Sequence, residues 1–247
     1  MIASLAPCFV GNLACAEDSL ALPGEHASSV SGRDLLYADT AKQILVRYGG
    51  FFGEADWRAV VSMWTQWHFG ALIIPTTAAI VMLRRGLPVE LDRIEIALHE
   101  RGRTAAVIIP DEGKCFDDEA GRHFARLFDG HVEPLIDHFS RHLGVSQRLL
   151  WCNAAAIFEW TLRELREIDA PPAALQAGQD CLERRAGARG ERNPMFAQVR
   201  YPIENGAPVR RRKLCCLRYL LPGVADCGDL CPLPLANRKP AAAMSGS

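Results

Sequence analysis

Four cysteines near the C-terminal end carry the clearest chemical signal in the sequence. Cys215 and Cys216 are adjacent, ten residues separate them from Cys227, and three more separate Cys227 from Cys231. Four thiolates are the donor set of a [2Fe–2S] cluster, and equally of a structural zinc ion. Gly223 and Gly228 let the backbone wrap closely around a compact centre, and Pro222 and Pro232 stiffen the loop. Structural zinc sites space the two cysteines of each pair by two to four residues. The vicinal pair here has none, and adjacent cysteines chelate one tetrahedral ion only with strain. The spacing therefore favours a centre with two metals, although zinc stays open on these residues alone. The chain has nine cysteines, an odd number, so they cannot all pair as disulfides within one chain, and a reducing compartment disfavours that option further.

The surroundings of the quartet are basic. Arg210, Arg211, Arg212, Lys213 and Arg218 crowd the same segment. Four thiolates around two ferric ions leave a negative centre, and nearby cations raise its reduction potential. A solvated strand face explains the same run equally well. Arg218, between the ligands, could reach a sulfur or attract an acidic redox partner. Trp64, Trp67 and His68 could form an aromatic wall for a bulky, nearly neutral ligand, with core packing of an apolar helix as the competing reading. Trp151 and Asn153 stand in the same position. His138 and His142 share a helix face, but no Glu follows His138 as a hydrolytic zinc helix requires, so a solvated face is expected. His131-Val132-Glu133 lacks the Pro-Cys-x-x-Cys partner of a zinc deaminase. Cys8, Cys15, Cys115, Cys152 and Cys181 have no mutual ligand spacing. Neither a dinucleotide fingerprint nor a phosphate loop is present, so no bound flavin or nicotinamide is indicated. Electrons would then arrive from a separate donor, a reduced protein or small reductant, that the sequence does not identify.

The cysteine pattern, with Cys-Cys-Leu-Arg-Tyr at 215–219 and Cys-Gly-Asp at 227–229, resembles that of the FhuF-type ferric siderophore reductases. The resemblance is sharp over residues 214–233 and looser elsewhere. Leu5-Ala6-Pro7, Trp151-Cys152-Asn153 and the overall length also fit. The family pattern has two residues in the last gap, and this chain has three. The resemblance implies a [2Fe–2S] cluster held by Cys215, Cys216, Cys227 and Cys231, passing an electron to a ferric hydroxamate siderophore in the cytoplasm. The chemistry is coherent. Hydroxamate oxygens are hard ligands suited to ferric iron, and one added electron makes a softer ion that they hold less well. A siderophore and an electron donor are the implied partners. Two other readings compete: a non-catalytic zinc-stabilised module binding a siderophore or a protein, and a helical domain of siderophore assembly or iron transport whose cysteines sense redox state.

The elements that must position these residues follow from pattern. With 49% hydrophobic and 23% charged residues, the chain of 247 is long and apolar enough to bury a core, which excludes a disordered chain. A net charge of −1 removes the electrostatic argument for nucleic acid. The first 18 residues lack Lys and Arg, so no secretory signal is expected. The stretch 59–83 is uncharged and long enough to span a bilayer. Pro75 predicts two buried core helices broken there, while the length leaves room for a single span or for peripheral contact with the inner membrane. Helices are expected from Asp39 or Thr40 to Tyr48, from Asp56 onward, from Val132 to Gly144, from Ser146 to Pro171, and on to about Arg185. Residues 91–98 and 104–109 read as a hairpin turning at Arg101-Gly102, and Asn205-Gly206 as a second hairpin turn. These add up to an α+β protein: a helix-rich siderophore-binding domain (1–190) with a small antiparallel sheet, then an iron–sulfur module (191–247) ending in a disordered tail from Asn237. Cytoplasmic location is expected.

Overall fold

The most apolar stretch of the sequence organises the fold. The computed structural model describes residues 1–187 and 190–234, which leaves the tail beyond Asn237 outside the described residues. The described helices are α1 (Ala38–Gly49), α2 (Trp57–Leu83), α3 (Ala120–Leu127), α4 (Glu133–Leu143), α5 (Gln147–Glu167) and α6 (Pro172–Glu183). Asp56 caps α2, its Oδ1 accepting the Arg58 amide at 2.9 Å, and Arg84 ends the helix in the left-handed region at φ 47. The expected break at Pro75 does not occur, and α2 runs through it as one helix of 27 residues. An internal proline costs an isolated helix about 3 kcal/mol. Here both sides of the proline are buried, from Ala71 to Ile73 and from Thr76 to Val81, and packing of those residues offsets the lost bond. By length and composition α2 could cross a membrane, yet 67% of its most apolar window is buried inside the fold. The core accounts for its hydrophobicity.

Around α2 the packing is aromatic. Phe158 of α5 meets Phe124 and Phe128 edge-on at 5.3 and 4.9 Å, and Trp64 meets Phe139 of α4 at 5.6 Å. Gly144, at φ 66, stops α4, Ser146 sits at the start of α5, and Pro172 opens α6. These boundaries follow the sequence expectation. The helix α3 and a π-turn at Phe128–Val132 were not anticipated.

The strands are short. In chain order they are β1 (Leu20–Ala21), β2 (Val30–Ser31), β3 (Arg85–Gly86), β4 (Glu95–Leu98), β5 (Thr104–Ile108), β6 (Lys114–Cys115), β7 (Val199–Arg200), β8 (Ile203–Glu204), β9 (Ala207–Pro208) and β10 (Arg211–Arg212). The main sheet has the order β1-β5-β4-β2. The expected hairpin is its antiparallel centre, with Ile96 opposite Val107 and a bulge between Ala97 and Leu98, while β1 joins β5 in parallel. Gly102 forms the hairpin turn at φ +79, and the Trp64 indole N–H donates to its carbonyl at 3.0 Å. A Cβ at that position would stand 3.1 Å from backbone atoms of Ile44 and Tyr48 in α1. Gly102→Ala should therefore cost about 1–2 kcal/mol from the left-handed backbone alone. A urea titration checks this, as a lower midpoint at unchanged slope.

Toward the C-terminus, Asn205 and Gly206 at φ 51 and 81 make the two-residue turn between β8 and β9, and β7 pairs with β10 below it. Met195 and Leu221 are buried in the same cluster as the helices. Residues on both sides of position 190 thus share one core in this α+β architecture.

Candidate metal centre

The cysteine loop leaves β10 and folds onto α2 and α5. Cys216 and Cys231 are buried, Cys215 and Cys227 half-buried, and none of the nine cysteines forms a disulfide. The Cys216 and Cys227 sulfurs stand 3.9 Å apart. A metal bonded to two thiolates at about 2.3 Å in tetrahedral geometry holds them about 3.8 Å apart, so this pair already has the spacing of one centre. Among the described residues no three His, Cys, Asp or Glu side chains form a group able to hold a metal ion. The rest of the quartet is looser.

Backbone geometry aims donors at the sulfurs. Leu217 adopts a left-handed conformation at φ 64, and its amide reaches the Cys215 sulfur at 3.3 Å. The next amide, of Arg218, interacts with the Cys216 sulfur. Such bonds stabilise sulfur carrying negative charge. The Cys216 thiol is held well below its usual range, first by hydrogen bonds from Cys215 and Cys227, with the Arg212 cation adding to them. Cys215 and Cys227 are pushed upward, chiefly by donating to Cys216 and then by burial. The three-residue gap before Cys231 is absorbed by one 3-10 turn, Gly228–Leu230, in which the Cys231 amide donates to Gly228 O at 3.1 Å. Asp226 Oδ1 accepts the Gly228 amide at 2.7 Å, and Arg211 Nη1 donates to the Asp229 and Cys231 carbonyls, each at 2.9 Å. Soft sulfur donors, a pair at bonding separation and amides directed at sulfur fit a [2Fe–2S] group.

The helices grip this loop through buried polar groups. Ser62 Oγ donates to the Cys216 carbonyl at 2.8 Å. Asn153 Nδ2 reaches the Ser62 carbonyl, Ser62 Oγ and Thr65 Oγ1, each at 3.1 Å, and Asn153 Oδ1 accepts from Arg212. The Cys152 thiol reaches Leu214 O at 3.8 Å, next to the first cysteine of the quartet.

The expected substrate contacts fall into separate places. Trp64 and His68 have no exposed surface, which corrects their reading as a ligand wall. The His68 ring stacks on Trp64, its Nδ1 lies 3.0 Å from Thr104 Oγ1, and its Nε2 lies 2.9 Å from His131 Nε2. Asn153 is likewise fully buried and serves the scaffold rather than a ligand. Trp67 is exposed beneath the Arg103 guanidinium, 4.8 Å from the ring centre. Arg218 lies half-buried against α2, its Nη2 3.4 Å from Gln66 Oε1. Trp151 lines a cleft of about 1770 Å³ together with Arg84, Arg148, Met195, Gln198 and Lys213. His131 entered the sequence reading only within a motif that lacks its cysteine partner, and Ser62 and Gln66 escaped it. The one available signal was polarity inside an apolar run.

Residues 62–208 match the family described as "Ferric iron reductase FhuF-like transporter", and residues 212–233 match "FhuF 2Fe-2S C-terminal domain". The chain belongs to the FhuF family. The second FhuF match contains all four cysteines and Arg212, so the cofactor of this segment is a [2Fe–2S] cluster. A relative named "Ferric siderophore reductase", from Escherichia coli strain K12, is 25% identical over 177 residues. That match covers 70% of this chain and 65% of the relative, so the chain spans slightly less than two thirds of the relative's length. The solved structure of aerobactin synthetase IucC from a hypervirulent pathotype of Klebsiella pneumoniae shares the fold at a TM-score of 0.50 and 16% identity. It covers 71% of this chain and 37% of the synthetase.

Proposed function

We propose that the protein reduces iron(III) held by a hydroxamate siderophore, one electron at a time, with Cys215, Cys216, Cys227 and Cys231 as the ligands of its cluster. The observation that carries this reading is the Cys216–Cys227 sulfur pair at 3.9 Å within the segment matched to the iron–sulfur domain. When bound, a [2Fe–2S] cluster accepts a single electron and gives it up again. The residues of the chain do the rest. Ser62 and Arg211 tie down the Cys216 and Cys231 carbonyls, which fixes the backbone that carries two of the sulfurs that would hold the cluster. The cleft beside Trp151 and Lys213 has room for a bulky chelate, and Lys213 is two residues from Cys215, at most about 7 Å of extended chain. A separate one-electron donor supplies the electron, the substrate's iron(III) takes it as iron(II), and the hydroxamate oxygens keep their bonds to the chelator. A cluster held by thiolates suits a reducing compartment, the cytoplasm.

The test uses the full chain, purified anaerobically from iron-replete cells. It should be reddish brown, carry about two irons and two sulfides, and bleach with dithionite. Mixed with a ferric hydroxamate chelate, the reduced protein should regain its colour while an iron(II)-specific trap fills. A ferric catecholate should react more slowly. A colourless protein with one zinc per chain, or a reduced protein that releases no iron(II), sinks the proposal.

A further inference from the structure

Five cations crowd the cysteine loop, and the structure separates the roles of its four arginines. Arg210 pairs with Glu159, and Arg211 pairs with Glu204. Arg212 and Arg218 have no such partner: among the described residues, no carboxylate forms an ion pair with either guanidinium. Arg212 is only 3% exposed. Its Nη2 donates to Asn153 Oδ1, its Nη1 lies 3.5 Å from Gln66 Oε1, and its Nε has no partner. Arg218 Nη2 lies 3.4 Å from the same Gln66 oxygen, and its Nε is also buried without a partner. Two like charges therefore converge on one amide oxygen, and one of them is almost wholly out of water. A buried, unpaired ion costs several kcal/mol. Arrangements of this kind persist where a negative group balances them. Geometry ties both cations to the cysteine loop: Arg212 holds Asn153, Asn153 holds Ser62, whose hydroxyl donates to the Cys216 carbonyl at 2.8 Å, and Arg218 follows Cys216 by two residues.

We infer that Arg212 is the internal counter-ion of the cluster, with Asn153 and Gln66 holding its guanidinium against the Cys216 side and Arg218 assisting from the Cys227 side. The inference rests on the proposed cluster and says what its protein surroundings do. Four thiolates and two sulfides outweigh the charge of two ferric ions, and adding one electron makes the centre more negative still. A fixed buried cation favours the reduced form more than the oxidised one, and so raises the potential. The paired Arg210 and Arg211 contribute little, because each is already balanced by a carboxylate. Arg212 acts through charge and touches no substrate.

The experiment compares full-length wild type with Arg212→Gln, Arg212→Lys and the double variant Glu159→Gln, Arg210→Gln, which removes a balanced pair. Iron, sulfide and the visible spectrum are measured first, then the midpoint potential by mediated dithionite titration. Arg212→Gln should lower the reduced-to-oxidised ratio at fixed potential by tenfold or more, a shift of about 59 mV or more for a one-electron couple. Arg212→Lys should recover most of the shift, and the charge-balanced double variant Glu159→Gln, Arg210→Gln should match wild type. A loaded Arg212→Gln protein with the wild-type potential overturns the inference while leaving the cluster reading intact. Should Arg212→Gln fail to load, recovery of both loading and potential by Arg212→Lys supports a charge role. Failure of the Lys variant as well overturns it. Absence of iron and sulfide from wild type marks instead the failure of the cluster reading.

Discussion

Changing Cys216 to Ser should strip the chain of its iron and sulfide, leaving less than about a tenth of the wild-type content and no visible absorption. Cys216 is the fully buried member of the quartet, and its sulfur stands 3.9 Å from that of Cys227. Its thiol is also the one shifted toward the charged form that binds metal. A serine hydroxyl offers a hard oxygen that stays protonated at neutral pH, so it replaces neither the softness nor the charge of the thiolate. Cys227→Ser should behave in the same way, because the 3.9 Å pair needs both sulfurs. Cys152→Ser provides the contrast. Cys152 is equally buried and touches Leu214 O, yet it stands outside the quartet, so this variant should keep its iron. Far-ultraviolet circular dichroism should be nearly unchanged in all three, since the helices do not include the loop. A Cys216→Ser protein with wild-type iron and sulfide would remove that sulfur from the ligand set.

What the sequence disclosed was local. The hairpin at Arg101-Gly102, the Asn205-Gly206 turn, the stops at Gly144 and Pro171 and the spacing of the cysteine loop all depend on residues within a few positions of one another. Proline logic treats a helix as if it stood alone, so it misjudged Pro75, whose neighbours along α2 are nearly all buried. The same burial hid the role of Trp64 and His68. An aromatic on an apolar helix reads alike as wall or as core until the other faces of the helix are known to be covered. The grip on the loop was out of reach for a different reason. Ser62, Asn153 and Arg212 meet across separations of 59 to 91 residues, and Ser62 meets Cys216 across 154. No periodicity encodes such meetings. Asn153 reads from sequence both as a ligand contact and as a buried amide serving the backbone, because the two look identical in one dimension.

The same blindness covered the pair of histidines at the heart of the core, which predicts how the protein responds to acid. His131 Nδ1 donates to the Val89 carbonyl at 2.7 Å, since a carbonyl only accepts. Its Nε2 must then accept from His68 Nε2, and His68 Nδ1 must accept from the Thr104 hydroxyl, so every position is filled with both rings neutral. Both rings are fully buried. Burial holds His131 down to about 4, and burial together with the neighbouring ring holds His68 well below its ordinary range. The unfolded chain takes up a proton on each ring below about pH 6.5, whereas the folded chain resists. Stability from the dyad is therefore complete above about pH 6.5 and falls as the pH drops toward 4, by about 3 kcal/mol from His131 alone. Urea midpoints at a series of pH values from 7 to 4.5 measure this. The carboxylates add their own slope, so the informative comparison is with a His68→Gln, His131→Gln double variant. That protein starts less stable at pH 7, having lost a fitted pair, but its stability should fall less steeply over the window. Parallel profiles would mean that the histidines are not protonated on unfolding, and that the neutral relay between β5, α2 and the π-turn is not what acid disrupts.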